Sequence, residues 1–494
     1  MKTHTKIYSS LIAPVLAMVV FAAISVSSQT TTAAPASVKT QRPDIVLIVV
    51  DDLNDWVGAM KGHPQTITPN MDGLAKQGVL FTNAHCNAPQ CRPSRASLLS
   101  GLYPKSTGTY FNSTNRPDFF GNQPMSGKTS KVDHGKPIIL HEHFLTNGYR
   151  VVSGGKIAHY TKPKATLDAY LPLQNTRGSR NAFTDERSNL WGDGGPHNLK
   201  DEATGDHKVA QWAIKQWQTE SDKPLLMTVG FYRPHRPLNA PKAYFEKFPV
   251  EQMKLPAVPK EDDWADMPPY AKALARSHAH RKLMEGKYSE HEYILKRGGK
   301  AEWQYMVSSY LACVNYVDTQ IGLFLKALKQ NPRKRETMII LTSDHGWNLG
   351  EKGHWCKAAL WKNTTNVPFI IVAPGMTQAG TKSKQPISLV DIYPTLCDMA
   401  GLDAPKHLEG KSILPLVKNP DHKRKAAYLS YGPENTAVQT ERYRYIRYED
   451  GSEELYDHDT DPHEWKNLAN QSEHAKLKAK LKKEALQFQG EISK

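Results

Sequence analysis

Apolar residues in this chain fall into two textures. Short unbroken runs stop abruptly at polar residues. "DIVLIVVDDLNDW" is apolar from Ile45 to Val50 and ends on Asp51-Asp52. "PLLMTVGFYRPHRP" runs from Leu225 to Phe231 and leads to His235, and "TMIILTSDHGW" runs from Met338 to Leu341 and ends on Asp344-His345. A weaker run in "YRVVSGGKIAH" delivers Lys156 and His159, and "VPFIIVAPG" supplies one more strand. β-Branched runs without alternation read as strands buried on both faces, the mark of a parallel sheet covered by helices. The second texture is helical. From Glu302 to Lys329, residues such as Met306, Tyr310, Cys313, Val317, Ile321 and Leu328 keep three-four spacing, which makes Cys313 a core residue.

Strands alternating with helices predict an α/β fold, a large and mostly parallel central sheet sandwiched by helices. Ligands gather at the carboxyl ends of such strands, where all the polar residues just named fall. Pro249 to Gly299 is rich in Pro, Lys, Glu and His without a clean period and reads as a long, partly helical surface insertion. After Asn419, "RKAAYLSYG", "TAVQTERYRYIRYED" and "EELYDHDTDPHEW" read as short strands and turns before a charged helix, a smaller C-terminal α+β subdomain. The expected layout is a catalytic domain over 41–418 and this subdomain over 419–494.

Residues 1–30 place Lys2 and Lys6 ahead of an apolar run from Leu11 to Ile24, the pattern of a secretory signal peptide, and 31–40 read as a spacer. The expected location is secreted or periplasmic, with no membrane span in the mature chain. The formal charge is +15, and removing the leader takes away two lysines and no acids, leaving +13. Such a balance suits a polyanionic partner. No helix-turn-helix, finger or RNP-like pattern points to nucleic acid, and sulfated or uronic polysaccharides fit the charge equally well. Five cysteines in so long a chain make no disulfide scaffold.

Three carboxylates, Asp51, Asp52 and Asp344, with His345 beside the last, stand at two strand ends. If those strands are neighbours, the oxygens converge on a divalent cation, and such a set favours Ca²⁺ or Mg²⁺. Cys91 is open to three readings: a disulfide with Cys86, a zinc site with His85, or a nucleophile. No second Cys/His pair stands at zinc spacing. After Pro93, "SRASLLSGLYP" predicts a short helix ended by Gly101, with Cys91 just before its N-terminus, where backbone N–H groups favour an anion.

Cys91-Arg92-Pro93-Ser94-Arg95 running on to "ASLLSGLYP" resembles the signature of the type I sulfatases of the alkaline phosphatase superfamily. "GYRVVSGGKIAHY" is similar to that family's second signature, and "VVDDLNDW" with "TSDHGWNLGEKGHWCK" to its metal pattern. The match runs in order from Arg42 to "ELYDHDTDPHEWKNLA", and "DDLNDW", "GFYRPHRP" and "SDHGWNLGEKGHW" look most like the iduronate-2-sulfatase branch. The resemblance implies an alkaline phosphatase-like fold and a sulfuric ester hydrolase acting on a sulfated carbohydrate such as ulvan or a glycosaminoglycan. It also implies that a formylglycine-generating maturation enzyme converts Cys91 to formylglycine. One hydroxyl of the aldehyde hydrate would attack sulfur, and the other would let the aldehyde reform and release sulfate.

Carried over by position, Asp51, Asp52, Cys91, Asp344 and His345 resemble the metal set, usually holding one Ca²⁺. Arg95 resembles the residue that activates the hydrate. Lys156, His159, His235 and Lys357 match contacts to sulfate or the leaving oxygen, with His235 or His159 as general acid. Trp347 matches a substrate-pocket position, while Arg116, His197 and Arg236 are candidate contacts to a sugar carboxylate. The chain departs from the family at Arg92, where a small residue is common, and past Asp403, where the branch's uronate-binding residues do not align. The rival readings are a phosphomonoesterase or phosphodiesterase on the same fold and a non-catalytic polyanion-binding protein.

Overall fold

The fold is taken from a computed structural model that describes residues 41–112, 137–159, 167–173, 194–259, 264–276 and 289–490. The leader and spacer expected over 1–40 lie outside the described residues. Eight strands form the central sheet: β1 (Asp44–Val50), β2 (Val79–Phe81), β3 (Arg150–Gly155), β4 (Ala169–Leu171), β5 (Leu225–Phe231), β6 (Thr337–Ser343), β7 (Phe369–Val372) and β8 (Thr381–Ser383), in the order β8-β2-β7-β6-β1-β5-β3-β4. From β6 to β4 every neighbouring pair is parallel. The helices that position the site or cover the sheet are α1 (Cys91–Ser100), α2 (Leu140–Thr146), α3 (Gly205–Trp217), α4 (Glu290–Leu328), α5 (Ile392–Ala400) and α6 (Ala475–Gln489).

Successive residues of β1 point to opposite faces, and both faces are packed. Val46, Ile48 and Val50 join a cluster with Val209 and Trp217 of α3 and Met306, Tyr310 and Val314 of α4. Ile45, Leu47 and Val49 join one with Leu98 and Leu99 of α1, Phe144 of α2 and Leu396 of α5. This two-sided burial explains why the run has no polar alternation. The structure therefore bears out the expected mostly parallel sheet between helices.

Three local expectations are corrected. Strand β7, from "VPFIIV", runs antiparallel to both β6 and β2. The chain between β6 and β7 holds only short pieces of structure, with no crossover helix to return it parallel. Helix α1 begins at Cys91 itself, not after Pro93; a proline is tolerated in a first turn, where the N–H it lacks has no intrahelical acceptor. Helix α4 begins at Glu290, twelve residues before the expected start. Ser289 caps it, receiving the Glu292 N–H while the Glu292 carboxylate takes the Ser289 N–H. A non-helical Gly299 (φ 60°) kinks the helix and breaks the period.

Beyond the central sheet, β9 (Ala427–Tyr431), β10 (Asn435–Gln439), β11 (Tyr443–Arg447) and β12 (Glu453–Asp457) form an antiparallel meander. One face packs Val438, Tyr445 and Leu455 against Leu481 and Ala485 of α6. The other packs Leu429, Ala437 and Ile446 against Ala359, Leu360 and Trp361, so this sheet is the floor beneath the segment that follows Lys357. No helix of the described residues is long and apolar enough to cross a membrane.

Candidate active site

The register of the parallel strands decides where the polar residues meet. Val50 lies opposite both Phe231 and Ser343, and Gly155 opposite Gly230, so these strands end at one level. The ladder continues one step further: Asp51 N–H donates to Phe231 O (3.1 Å), Asp344 N–H to Val50 O (3.2 Å) and Lys156 N–H to Gly230 O (2.9 Å). Asp51, Asp52, Asp344, His345 and Lys156 thus come out on one rim although they are far apart in sequence. Asp52 takes a left-handed backbone (φ 60°), unusual for a residue with a side chain. Its N–H donates to Asp344 Oδ1 (3.1 Å), and its carbonyl accepts from the Tyr310 hydroxyl (2.8 Å).

Cys91 enters from α1 as the first helical residue, fully buried. Its Sγ lies 2.9 Å from Lys357 Nζ, 3.3 Å from His345 Nε2, 3.8 Å from Lys156 Nζ and 3.9 Å from Asp52 Oδ1. His159 also hydrogen-bonds to it. Burial pushes the thiol up, but the Lys156 and Lys357 ammonium groups and His345 outweigh that and hold it well below the usual range. One turn along α1, Arg95 is on the same face. Its Nη2 donates to Asp51 Oδ1 and its Nε to Asp344 Oδ2, both at 3.0 Å, and its Nη1 to the carbonyls of Lys156 and Ile157. Ser94 Oγ donates to the Asp344 carbonyl.

The carboxylates feel different surroundings. Burial pushes Asp51 up, but Lys156, whose Nζ donates to it, holds it well below the usual carboxylate range. Burial pushes Asp344 up to about 7 despite Arg95. His345 is raised to about 9 against burial, chiefly by Asp344; its Nδ1 donates to Gly346 O (2.9 Å), leaving Nε2 toward Cys91 Sγ and Asp52 Oδ1 (3.2 Å). Burial pushes His159 down. Two sets of ligand atoms, Asp51-Cys91-Asp344-His345 and Asp51-Asp52-Cys91-His235, lie each within 4.8 Å of one another. Asp52 Oδ2 is buried with no hydrogen-bond partner. Three carboxylates with one unpartnered oxygen fit a hard divalent cation.

The other expected residues are placed as follows. His235 Nδ1 donates to Arg236 O (2.7 Å), and Nε2 is 3.9 Å from Asp52 Oδ2. Trp347 is buried between two cations, with Lys357 Nζ 5.5 Å and Arg236 Cζ 5.7 Å from its ring. Arg236 itself pairs with Glu290 at 2.5 Å. His197 is buried on the short strand Gly194–His197, beside Arg233 and Asp201, and is pushed down to about 4 by burial. Arg116 lies outside the described residues. The thiols of Cys86 and Cys91 are free, which sets aside the disulfide reading. Sequence reasoning missed the Tyr310 hydroxyl and Glu290. The Ser289-x-x-Glu292 capping box was the one signal that could have drawn attention to Glu290.

Comparison with known proteins identifies the family and the fold. Residues 43–402 match the family described as "Sulfatase", and 350–491 the family described as "N-sulphoglucosamine sulphohydrolase, C-terminal". A sulfatase of Formosa agariphila is 35% identical over 454 residues, covering 89% of this chain and 85% of the relative. Human iduronate 2-sulfatase is 28% identical over 416 residues, covering 75% of this chain and 71% of the relative. The crystal structure of the phosphonate monoester hydrolase of Agrobacterium radiobacter matches with a TM-score of 0.71 at 24% identity, covering 91% of this chain and 96% of that one, a likeness of fold. The chain belongs to the sulfatase family and is a sulfuric ester hydrolase with an alkaline phosphatase-like fold.

Proposed function

We propose that this protein is an exported, calcium-dependent sulfatase that cleaves sulfate esters of a uronate-containing carbohydrate, with Cys91 matured to formylglycine as the nucleophile. The observation that carries the reading is the meeting, at Cys91 Sγ, of two ammonium groups and an acid-rich cluster with a free carboxylate oxygen. Its likeness to human iduronate 2-sulfatase supports a uronate-bearing substrate. The leader-like first thirty residues support export to the periplasm or beyond.

Matured, Cys91 would supply an aldehyde hydrate, a nucleophile that is regenerated once the ester is cleaved. A calcium ion held by Asp51, Asp52, Asp344 and His345 would supply positive charge to a sulfate oxygen. The remaining work falls to the chain's own side chains. Lys156 and Lys357 set fixed positive charge where the sulfate oxygens gain negative charge. Arg95 holds Asp51 and Asp344 in register. His235, its Nδ1 tied to a carbonyl, has Nε2 left to pass a proton to the departing alcohol.

The test is sulfate release from a panel of sulfated oligosaccharides, with and without uronic acid, by protein co-produced with a formylglycine-generating enzyme. Cys91→Ala serves as control. Release by the parent alone is expected, fastest from a uronate-bearing member. Phosphate release independent of Cys91 maturation would instead establish the phosphoesterase reading, which the phosphonate hydrolase-like fold keeps in view. Binding without release by matured protein would establish the non-catalytic one.

A further inference from the structure

The reacting cluster is closed from below: Asp51, Asp52, Asp344 and His345 are fully buried. Solvent reaches it beside His235 and Lys357, whose side chains are 20% and 16% exposed. Arg236 (10%) and Glu290 (7%) are more enclosed. Arg236 follows His235 in sequence and lies over the Trp347 ring that Lys357 also approaches. Glu290 is 3.9 Å from the Sγ of Cys356, the residue before Lys357. A sugar whose sulfate is seated at Cys91 and that extends past His235 and Lys357 comes next to this pair.

We propose that Arg236 and Glu290 form the subsite for the sugar position next to the sulfate ester, and that Glu290 makes this subsite select a free hydroxyl over a second anionic group. The inference rests on the sulfatase reading and narrows its substrate. An arginine alone here would attract another sulfate or a carboxylate through a bidentate contact. Paired with Glu290 at 2.5 Å in nearly dry surroundings, it is already neutralised, and an incoming anion would have to displace the glutamate or lie against it. A hydroxyl meets no such conflict, because it donates to the carboxylate and accepts from the guanidinium. The carboxylate of a uronate substrate therefore falls elsewhere, not on Arg236.

The test uses full-length Cys91→Ala protein, which binds without turnover, and calorimetric titration. The two probes are the disaccharide best hydrolysed by the parent and the same disaccharide with a second sulfate on the adjacent hydroxyl. The second sulfate is expected to weaken binding about tenfold or more, and Glu290→Gln to shrink that penalty to about twofold or reverse it. Glu290→Asp, which keeps the carboxylate, is expected to retain it. If Glu290→Gln fails to fold, the double variant Arg236→Gln with Glu290→Gln, which removes both charges of the pair, is expected to lose the penalty in its place. Three results overturn the proposal: no penalty in the Cys91→Ala protein, a penalty that these variants leave unchanged, or equal weakening of both probes by Glu290→Gln in protein that still melts normally. A matured parent that hydrolyses no member of the panel fails the sulfatase reading itself, and the subsite falls with it.

Discussion

Tyr310 does two things with one side chain. Its ring packs in the stripe of α4 that covers the sheet. Its hydroxyl donates to Asp52 O (2.8 Å) and accepts from Asn54 N–H (3.0 Å) beneath the loop that carries two carboxylates. Tyr310→Phe keeps the packing and strands both backbone groups, each buried loss costing about 1–3 kcal/mol. We expect the variant to lose about 2–4 kcal/mol in urea unfolding and to bind calcium more weakly, because Asp52 in its left-handed conformation loses a tether. The parent should melt at a higher temperature with calcium than with chelator, and Tyr310→Phe should show a smaller rise. Unchanged stability and an undiminished calcium shift would remove Tyr310 from the site. Nothing in the sequence spoke for this hydroxyl. Three-four periodicity says which face of a helix is buried, so Tyr310 was legible as core, but not what its last atom touches. The aspartates were legible because they stand where buried strands end, whereas Cys91 and Lys156 were legible through their place in motifs that resemble the family's signatures.

At the level of elements, the site depends on how closely β3 and β5 approach where they end. A side chain on Gly230 would put its Cβ 2.0 Å from Lys156 O, and one on Gly155, at φ +74°, would meet Gly230 O at the same distance. Only glycine lets Lys156 leave the ladder at this height. Gly230→Ala should leave secondary structure by circular dichroism near that of the parent. It should lower kcat/KM about a hundredfold, because a displacement near 1 Å in a positioning group costs about that much. Full activity in Gly230→Ala would show that Lys156 is not held by this approach. Strand ends were the most legible elements, since a two-face-buried run must stop where a charge begins. The direction of β7 was not, because antiparallel return depends on what fills the connection rather than on the strand's own residues. The start of α4 was hidden by the kink at Gly299, although its cap was written in the sequence.

Across the whole molecule, the C-terminal sheet reaches the active site through a buried clamp. Glu464, just past β12, pairs with Arg444 and His458, each at 2.8 Å, and accepts the Lys362 N–H at 2.8 Å. Arg444, on β11, donates to Leu360 O (2.6 Å) and Thr365 Oγ1 (2.8 Å). Together they fix the segment that follows Lys357. A smaller C-terminal unit was foreseeable from the change of texture after Asn419. Its hold on a lysine nearly ninety residues earlier was not, because pairing between distant charges leaves no periodic trace. Burial pushes the Glu464 carboxyl up, but Arg444 and then His458 outweigh it and hold the group at about 2, against 4.5 when free. The folded value is the lower one, so the group stabilises the fold fully above about pH 5. That stability, about 3 kcal/mol, drains away as the pH falls from about 4.5 towards 2. In Glu464→Gln the carboxylate is missing at every pH, whereas in the parent it is lost only on protonation. The gap in melting temperature between the two should therefore be widest at pH 5–7 and close as the pH approaches 2. A gap that stays constant over that range would mean that the Arg444–Glu464 pairing is not what ties the C-terminal sheet to the Lys357 segment.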